Sequence, residues 1–286
     1  MVIFFSSCNS KDVYDASGTF EATEVIVSSE ASGKLLAFNI DEGKTLLANQ
    51  QVGYVDSLQL YYKKMQLEAT LKAIQSSRSD IQKQIAATEQ QIATAEVDKR
   101  RFENLLKANA STQKQVDDQN SLLQVLRKQL AAQLSNLEHA NSSIDENASA
   151  MKYQIDQLND QLHKCKIINP IHGTVLTKYA EPYEVTSFGK PLYMVANIDT
   201  ITLRAYITSD QLTKVKLRQP VKVYADWGKG MKAYSGVVTW ISDKAEFTPK
   251  TIQTRDERAN LVYAVKIDVK NDGYLKIGMY GEVKFN

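Results

Sequence analysis

The sequence predicts an α+β multidomain chain. A long antiparallel coiled-coil α-hairpin is inserted in a bisected β-module, and a small β-barrel follows. Three observations carry this. The stretch from Tyr54 to Asn169 holds none of the chain's 12 glycines or 5 prolines, the residues that break or end helices. Within it, apolar residues recur in alternating steps of four and three. On both sides of it, short alternating segments separated by Gly- and Asp-containing turns read as strands.

The apolar steps define two runs with a period of 3.5. The first goes from Leu67 through Ile85 and Ile92 to Leu106; the second goes from Val116 through Leu123, Leu137 and Leu158 to Cys165. Arg78, Lys99, Asn120, Arg127 and Asn141 interrupt this seam, and such polar positions fix register at a cost in stability. Between the runs lies Lys107–Thr112. Asn109, Ser111 and Thr112 are its turn and cap residues, and Thr112 followed by Gln115 fits a capping box. The turn falls near the midpoint, so each arm has roughly 50 residues and a length of about 75 Å. Two equal arms with one apolar stripe each fold back on each other.

Composition bounds the function classes. Hydrophobic residues make up 43% and charged residues 24%, and the net charge is +2. That balance does not describe a nucleic-acid surface, and no stretch approaches the ~20 apolar residues that span a bilayer. Met1–Ser10 runs from a short apolar segment through small residues to Cys8. It resembles the end of a bacterial lipoprotein signal, in which the cysteine thiol receives a diacylglycerol. Phe5 replaces the usual small aliphatic residue, and the basic n-region, which an upstream start would supply, is missing. Cys165, on the seam, is expected to pack as a small hydrophobe. The two cysteines give no disulfide framework.

Residues 9–21 are polar and read as a tether. From Phe20 to Val55 the strands are Glu24–Ser28, Gly33–Ile40 and Gln51–Val55. After Asn169 the same grammar returns: Gly173 opens a strand, Glu181–Glu184 is an acidic turn, and Leu192–Ala196 is a final apolar run. About 35 residues cannot close a core alone. An antiparallel hairpin brings its two ends side by side, so the halves must meet. Residues 199–286 alternate around Gly-containing turns as a small barrel does, with a short helix starting near Ser209 that plugs one end.

These halves resemble the split lipoyl-type (biotinyl-lipoyl) domain of the periplasmic adaptor proteins, the membrane fusion or HlyD family. Ala31–Leu35 through Asp41–Lys44 resembles the first lipoyl motif, and Asn169–Val175 through Glu181–Val185 resembles the second; Tyr183 stands where that turn usually has glycine. The resemblance covers residues 20–286. It implies a split lipoyl-type β-sandwich with these limits: signal, lipid tether and linker 1–21, first lipoyl half 22–56, hairpin 57–164, second half 165–198, barrel 199–286. It also implies that a membrane-proximal domain, when present, follows the barrel; with Asn286 last, that domain is expected to be absent or minimal. The modifiable lysine turn of true lipoyl domains is replaced by the helical insertion, so neither lipoate nor biotin is expected, nor any other cofactor.

The resemblance further implies a subunit that does no covalent chemistry. It would join an inner-membrane exporter, of ABC type, to a TolC-like outer-membrane channel, assemble with itself as a hexamer, and sit in the periplasm. Cys8 would anchor it to the inner membrane of a Gram-negative-type envelope. In adaptors that engage such a channel, the hairpin tip resembles Arg-x3-Leu-x6-Ser with an Asp five residues on. Here those positions are Arg101, Leu105, Thr112 and Asp117, with threonine keeping the hydroxyl. The polar stretch 242–258 resembles a segment of adaptors that accompany ABC exporters; Lys244, Glu246, Phe247, Lys250 and Arg255 are its candidate pump contacts. Phe247 and Pro249 would equally serve to anchor the loop on the barrel.

No catalytic constellation competes. His139, His163 and His172 lack the spacing of a metal site, and no phosphate loop or nucleophile elbow occurs. The rival readings are an adaptor for a proton-driven pump, a biotinyl or lipoyl carrier protein, and a free structural coiled coil.

Overall fold

The structure, a computed structural model, describes residues 14–228, 230–247 and 261–285. The chain forms two compact units. Ser57–Lys164 is one; Met1–Asp56 together with Cys165–Asn286 is the other. In chain order the elements are β1 (Ala16–Glu21), β2 (Glu24–Ser28), β3 (Gly33–Phe38), β4 (Thr45–Leu46), β5 (Gln51–Val55), α1 (Leu58–Ser76), α2 (Ile81–Lys107) and α3 (Gln113–Lys164). There follow β6 (Lys166–Ile168), β7 (Gly173–Lys178), β8 (Val185–Thr186), β9 (Pro191–Ala196), β10 (Thr200–Thr208) and α4 (Ser209–Leu212). The chain closes with β11 (Pro220–Trp227), β12 (Gly230–Ile241), β13 (Glu246–Phe247), β14 (Leu261–Lys270) and β15 (Tyr280–Lys284).

In the β unit, strands from before and after the insertion interleave. One sheet has the order β2-β9-β7-β4 and another the order β6-β5-β3-β8. Exchanging the two halves, β2 for β6, β3 for β7, β4 for β8 and β5 for β9, turns one order into the other. The hydrogen bonds repeat with the strands. Leu35 N donates to Glu184 O at 2.8 Å, and its counterpart Val175 N donates to Lys44 O at 3.0 Å. Gly43 N donates to Val175 O at 2.8 Å, and Tyr183 N donates to Leu35 O at 2.7 Å. Tyr183 holds φ +74° where its counterpart Gly43 holds φ +82°, so the turn keeps its left-handed geometry although tyrosine replaces the residue that adopts it freely.

Asn169 fastens the halves to each other. It is fully buried. Its N–H donates to Gln50 O and its carbonyl accepts from Asn49 N, both at 2.8 Å. Its side-chain Nδ2 donates to Leu47 O at 2.8 Å and to Ile171 O, and its Oδ1 accepts from Tyr193 OH at 3.1 Å. Burial pushes the Tyr193 phenol well above its ordinary value, so the donor stays protonated. The two-fold counterpart of Asn169 is Ser29, buried as well, whose N–H donates to Lys190 O at 2.9 Å and whose carbonyl accepts from Gly189 N at 2.8 Å.

The barrel is closed by six antiparallel strands in the cycle β1-β15-β11-β12-β14-β10 and back to β1. Strand β13 continues the β12 side of β14 beyond Ile241. Here the structure corrects the sequence reading. Residues 16–21 are not tether but a barrel strand, lying between β10 and β15. Ala16, Gly18 and Phe20 alternate inward. Phe20 is 1% exposed and occupies the space beside Gly281, where an added Cβ would meet its ring at 2.8 Å. One large apolar side chain in six residues is too little for periodicity to register. Helix α4 starts at Ser209 under a capping box made by Thr208 and Gln211.

In the helical unit, α1 and α2 pack along α3. The first arm is broken at residues 77–80, where Asp80 caps α2 by accepting from Lys83 N. Asn141 on α3 fills this break: its Oδ1 accepts from Ser79 N and its Nδ2 donates to Ser79 O, each at 3.0 Å. It is 6% exposed. Thr88 and Gln133 make a second polar cross-link, with Gln133 Nε2 reaching Gln84 O at 2.9 Å. Arg78 and Arg127, expected in the seam, lie exposed on its flank and pair with Asp145 and Glu96 across the arms, each at 2.8 Å. A guanidinium is too costly to bury in so thin an interface, so half-buried Leu126 lies inward where Arg127 was expected.

Two outcomes follow. Asn169→Ala removes the partner of the fully buried Tyr193 hydroxyl and of the Leu47 and Ile171 carbonyls at the edge of the core, so the β unit should lose about 2 kcal/mol. Native-state hydrogen exchange at Val52 and Leu192 reads this directly; a loss below about 1 kcal/mol contradicts the clip. Asn141→Leu frees both backbone groups of Ser79, and exchange of the Ser79 amide should speed up about tenfold or more.

Candidate functional site

The turn between α2 and α3 is built by Asn109, Ser111, Thr112 and Gln115. Asn109 takes the left-handed conformation at φ +54°, one of the few non-glycine residues that does so cheaply. Gln115 Oε1 then accepts from Thr112 N at 3.0 Å, Ser111 Oγ at 2.9 Å and Thr112 Oγ1 at 3.2 Å. The first of these is the return half of a capping box. In the other half, Thr112 bonds the Gln115 side chain instead of its N–H. The Thr112 hydroxyl is therefore held in the turn.

Arg101 and Leu105, one turn apart on α2, share a side. Arg101 is 67% exposed and binds Asp98 at 3.0 Å; Leu105 is 37% exposed. On this side Thr94 and Asp98 of α2 and Gln119, Leu122 and Leu126 of α3 line a shallow groove of about 440 Å³. Leu122 was not singled out from the sequence, yet it is 46% exposed. The signal was its place off the a/d seam, one turn before Leu126. Asp117 is not gathered in. It lies five residues before Leu122, about 140° round the helix at 100° per residue, and accepts from Gln113 Nε2 at 2.9 Å. The structure thus brings Arg101 and Leu105 together, fixes Thr112 at the turn, and sets Asp117 on another side.

In the 242–258 stretch, Lys244 and Phe247 are exposed, and Phe247 at 78% does not anchor the loop. Glu246 is half-buried and engaged by Arg204, whose Nη2 donates to both carboxylate oxygens at 2.9 and 3.1 Å. Lys250, Arg255 and Pro249 lie outside the described residues, as does Cys8. Cys165 is buried at 3%, and burial, with the nearby Asp56 charge, pushes its thiol up. His172 lies 3.2 Å from Asp199. Among the described residues no group of His, Cys, Asp and Glu is arranged to hold a metal, and no helix is long and apolar enough to cross a membrane.

A closed β-barrel, a two-sheet module built from both sides of an insertion, and a long helical hairpin together define the membrane fusion protein fold. The solved structure of MacA from Actinobacillus actinomycetemcomitans matches with a TM-score of 0.57 at 18% identity, over 95% of this chain and 78% of that one. The membrane fusion protein Spr0693 from Streptococcus pneumoniae R6 matches with a TM-score of 0.53 at 18% identity, over 94% and 97%. In sequence, the chain is 29% identical over 299 residues to the UPF0194 membrane protein YbhG of Salmonella gallinarum, covering 94% of this chain and 87% of that protein. No family model matches the chain.

Replacing Gln115 with Ala removes the acceptor that holds Thr112 N, and should cost about 1 kcal/mol at the start of α3. Faster amide exchange at Thr112 with unchanged exchange at Leu158 is the expected signature; unchanged exchange at both contradicts the capping assignment.

Proposed function

We propose that this protein is a periplasmic adaptor of an export system, doing no covalent chemistry of its own. It links an inner-membrane exporter to an outer-membrane channel. The observation that carries the reading is the interleaved module. Two segments separated by more than a hundred residues pair strand for strand, with the hairpin inserted between β5 and β6, which pair with each other. A free structural coiled coil has no use for that closure, so the module favours a hairpin that presents its turn to another protein. We read the module as the split lipoyl-type domain of the HlyD family, in which the hairpin takes the place of the modified turn. This also sets aside a carrier role.

The finer assignments extend that reading. Arg101, Leu105 and Thr112 at the turn contact the helical tip of a TolC-like channel, with Asp117 on a neighbouring side. Lys244 and Phe247, with Lys250 and Arg255, face an ABC-type exporter; Glu246 shapes the loop through Arg204. Copies assemble as a hexamer, and Cys8 carries a lipid that holds each at the inner membrane.

The test is to replace Arg101 with Glu and Leu105 with Ser together, at constant protein level. The strain should become as sensitive to exported toxic compounds as one lacking the gene, while the purified variant keeps its helicity. Unchanged sensitivity would remove the tip from the function.

A further inference from the structure

We infer that the end of the barrel carrying α4 is a membrane-surface site that binds anionic phospholipid headgroups directly. The inference rests on the envelope location proposed above and goes beyond the lipid at Cys8.

The loop from α4 to β11 is built to present cations. Val215 is buried in the barrel core at 5% exposure and pins the loop. Around it Lys214, Lys216, Leu217 and Arg218 are all exposed, Leu217 at 59%. The backbone is fixed: Lys216 N donates to the Gln219 side chain at 2.8 Å, and Arg218 N donates to Val238 O at 2.8 Å. Arg218 holds a left-handed φ of +65°, a conformation that glycine or asparagine would adopt at less cost. Three cations and an outward leucine thus stand on a rigid loop. Among the described residues no carboxylate pairs with Lys214, Lys216 or Arg218.

Other features lie at the same end. Strand β14 begins there, opposite Thr208, and Phe247 pairs with Leu261 beside it. Both are exposed, at 78% and 50%. Lys244 adds a fourth cation. Among the described residues the carboxylates at this end are Asp210 and Asp243, exposed, with Asp15 bonded to Phe285 N at 2.7 Å and Glu246 held by Arg204. Exposed cations flanking exposed apolar side chains are the pattern of an interfacial membrane contact.

The path of the chain favours a bilayer over a protein partner. Strand β1 starts at this end, where Gln211 binds Asp15 O. Cys8 lies six residues before Tyr14, a reach of about 20 Å when extended. A lipid there would bring this end, and not the opposite one, to the headgroups. Cations beside that lipid would add an electrostatic attachment to the same surface.

The experiment uses the full chain with Cys8→Ser, so that no lipid contributes. Its partition is measured by co-sedimentation with phosphatidylcholine vesicles, with and without about one-third phosphatidylglycerol. Binding should require the anionic lipid and fall steeply with added salt. Lys214→Gln with Lys216→Gln and Arg218→Asn, the last chosen to suit the left-handed backbone, should weaken it about fivefold per cation, on the order of a hundredfold in all. Leu217→Ser should weaken it separately, with circular dichroism unchanged. Equal binding to both vesicle types, or undiminished binding by the triple variant, overturns the proposal. So does capture by a purified exporter without any vesicle binding, which assigns the loop to a protein contact. Failure of palmitate labelling at Cys8 would sink the anchor reading and leave this result untouched.

Discussion

Everything in the β unit depends on joining two chain segments that the sequence keeps far apart. Closing a long loop costs entropy that grows slowly with its length, so the contacts at the join must more than offset it. They do so by burial and by backbone pairing. Leu35, Leu46, Val55, Leu192 and Val195 are all 0% exposed, and each is drawn into a core that neither half can close alone. Asn169 meets Gln50, Asn49, Leu47, Ile171 and Tyr193 at once. A polar residue so placed does more than add stability. Any register slip between the halves would strand several buried groups, so it selects one pairing over its neighbours.

The hairpin solves the same problem of register with thinner means. Its interface is a single seam, and most of its apolar residues are only half-buried. Register is therefore set by polar pairs, with Asn141 on Ser79 and Thr88 on Gln133. The break at residues 77–80 gives Asn141 backbone groups to bind, which a continuous helix would not offer. At the far turn, Gln115 collects three donors and Asn109 reverses the chain. Fixing the turn this way holds the exposed Arg101, Leu105 and Leu122 beside an ordered chain reversal.

Much of this was legible in the sequence, and the reasons are physical. A run without glycine or proline and with a 3.5-residue period has few other folds open to it. The repeat of a glycine, an acidic turn and a final apolar run signalled the matched halves. What escaped was set by tertiary context. Strand β1 carries only Phe20 as a large apolar residue, and its glycine at position 18 reads as turn until β10 is beside it. The break in the first arm is capped by Asp80, an ordinary surface residue in sequence. The heptad count placed Arg127 inward, but desolvation placed Leu126 there instead. Tyr183 shows the reverse: sequence rules disfavour it in a left-handed turn, and the surrounding ladder imposes that turn regardless.

The central claim is that the two flanking segments make one β-module independently of the helices between them. It is tested most directly by excising residues 57–164 and joining Asp56 to Cys165 through a short glycine-containing turn. The account predicts a folded protein in which the amides of Leu35, Val175 and Asn169 remain protected from exchange. An excised chain with an intact barrel but unprotected amides at those three positions would contradict it.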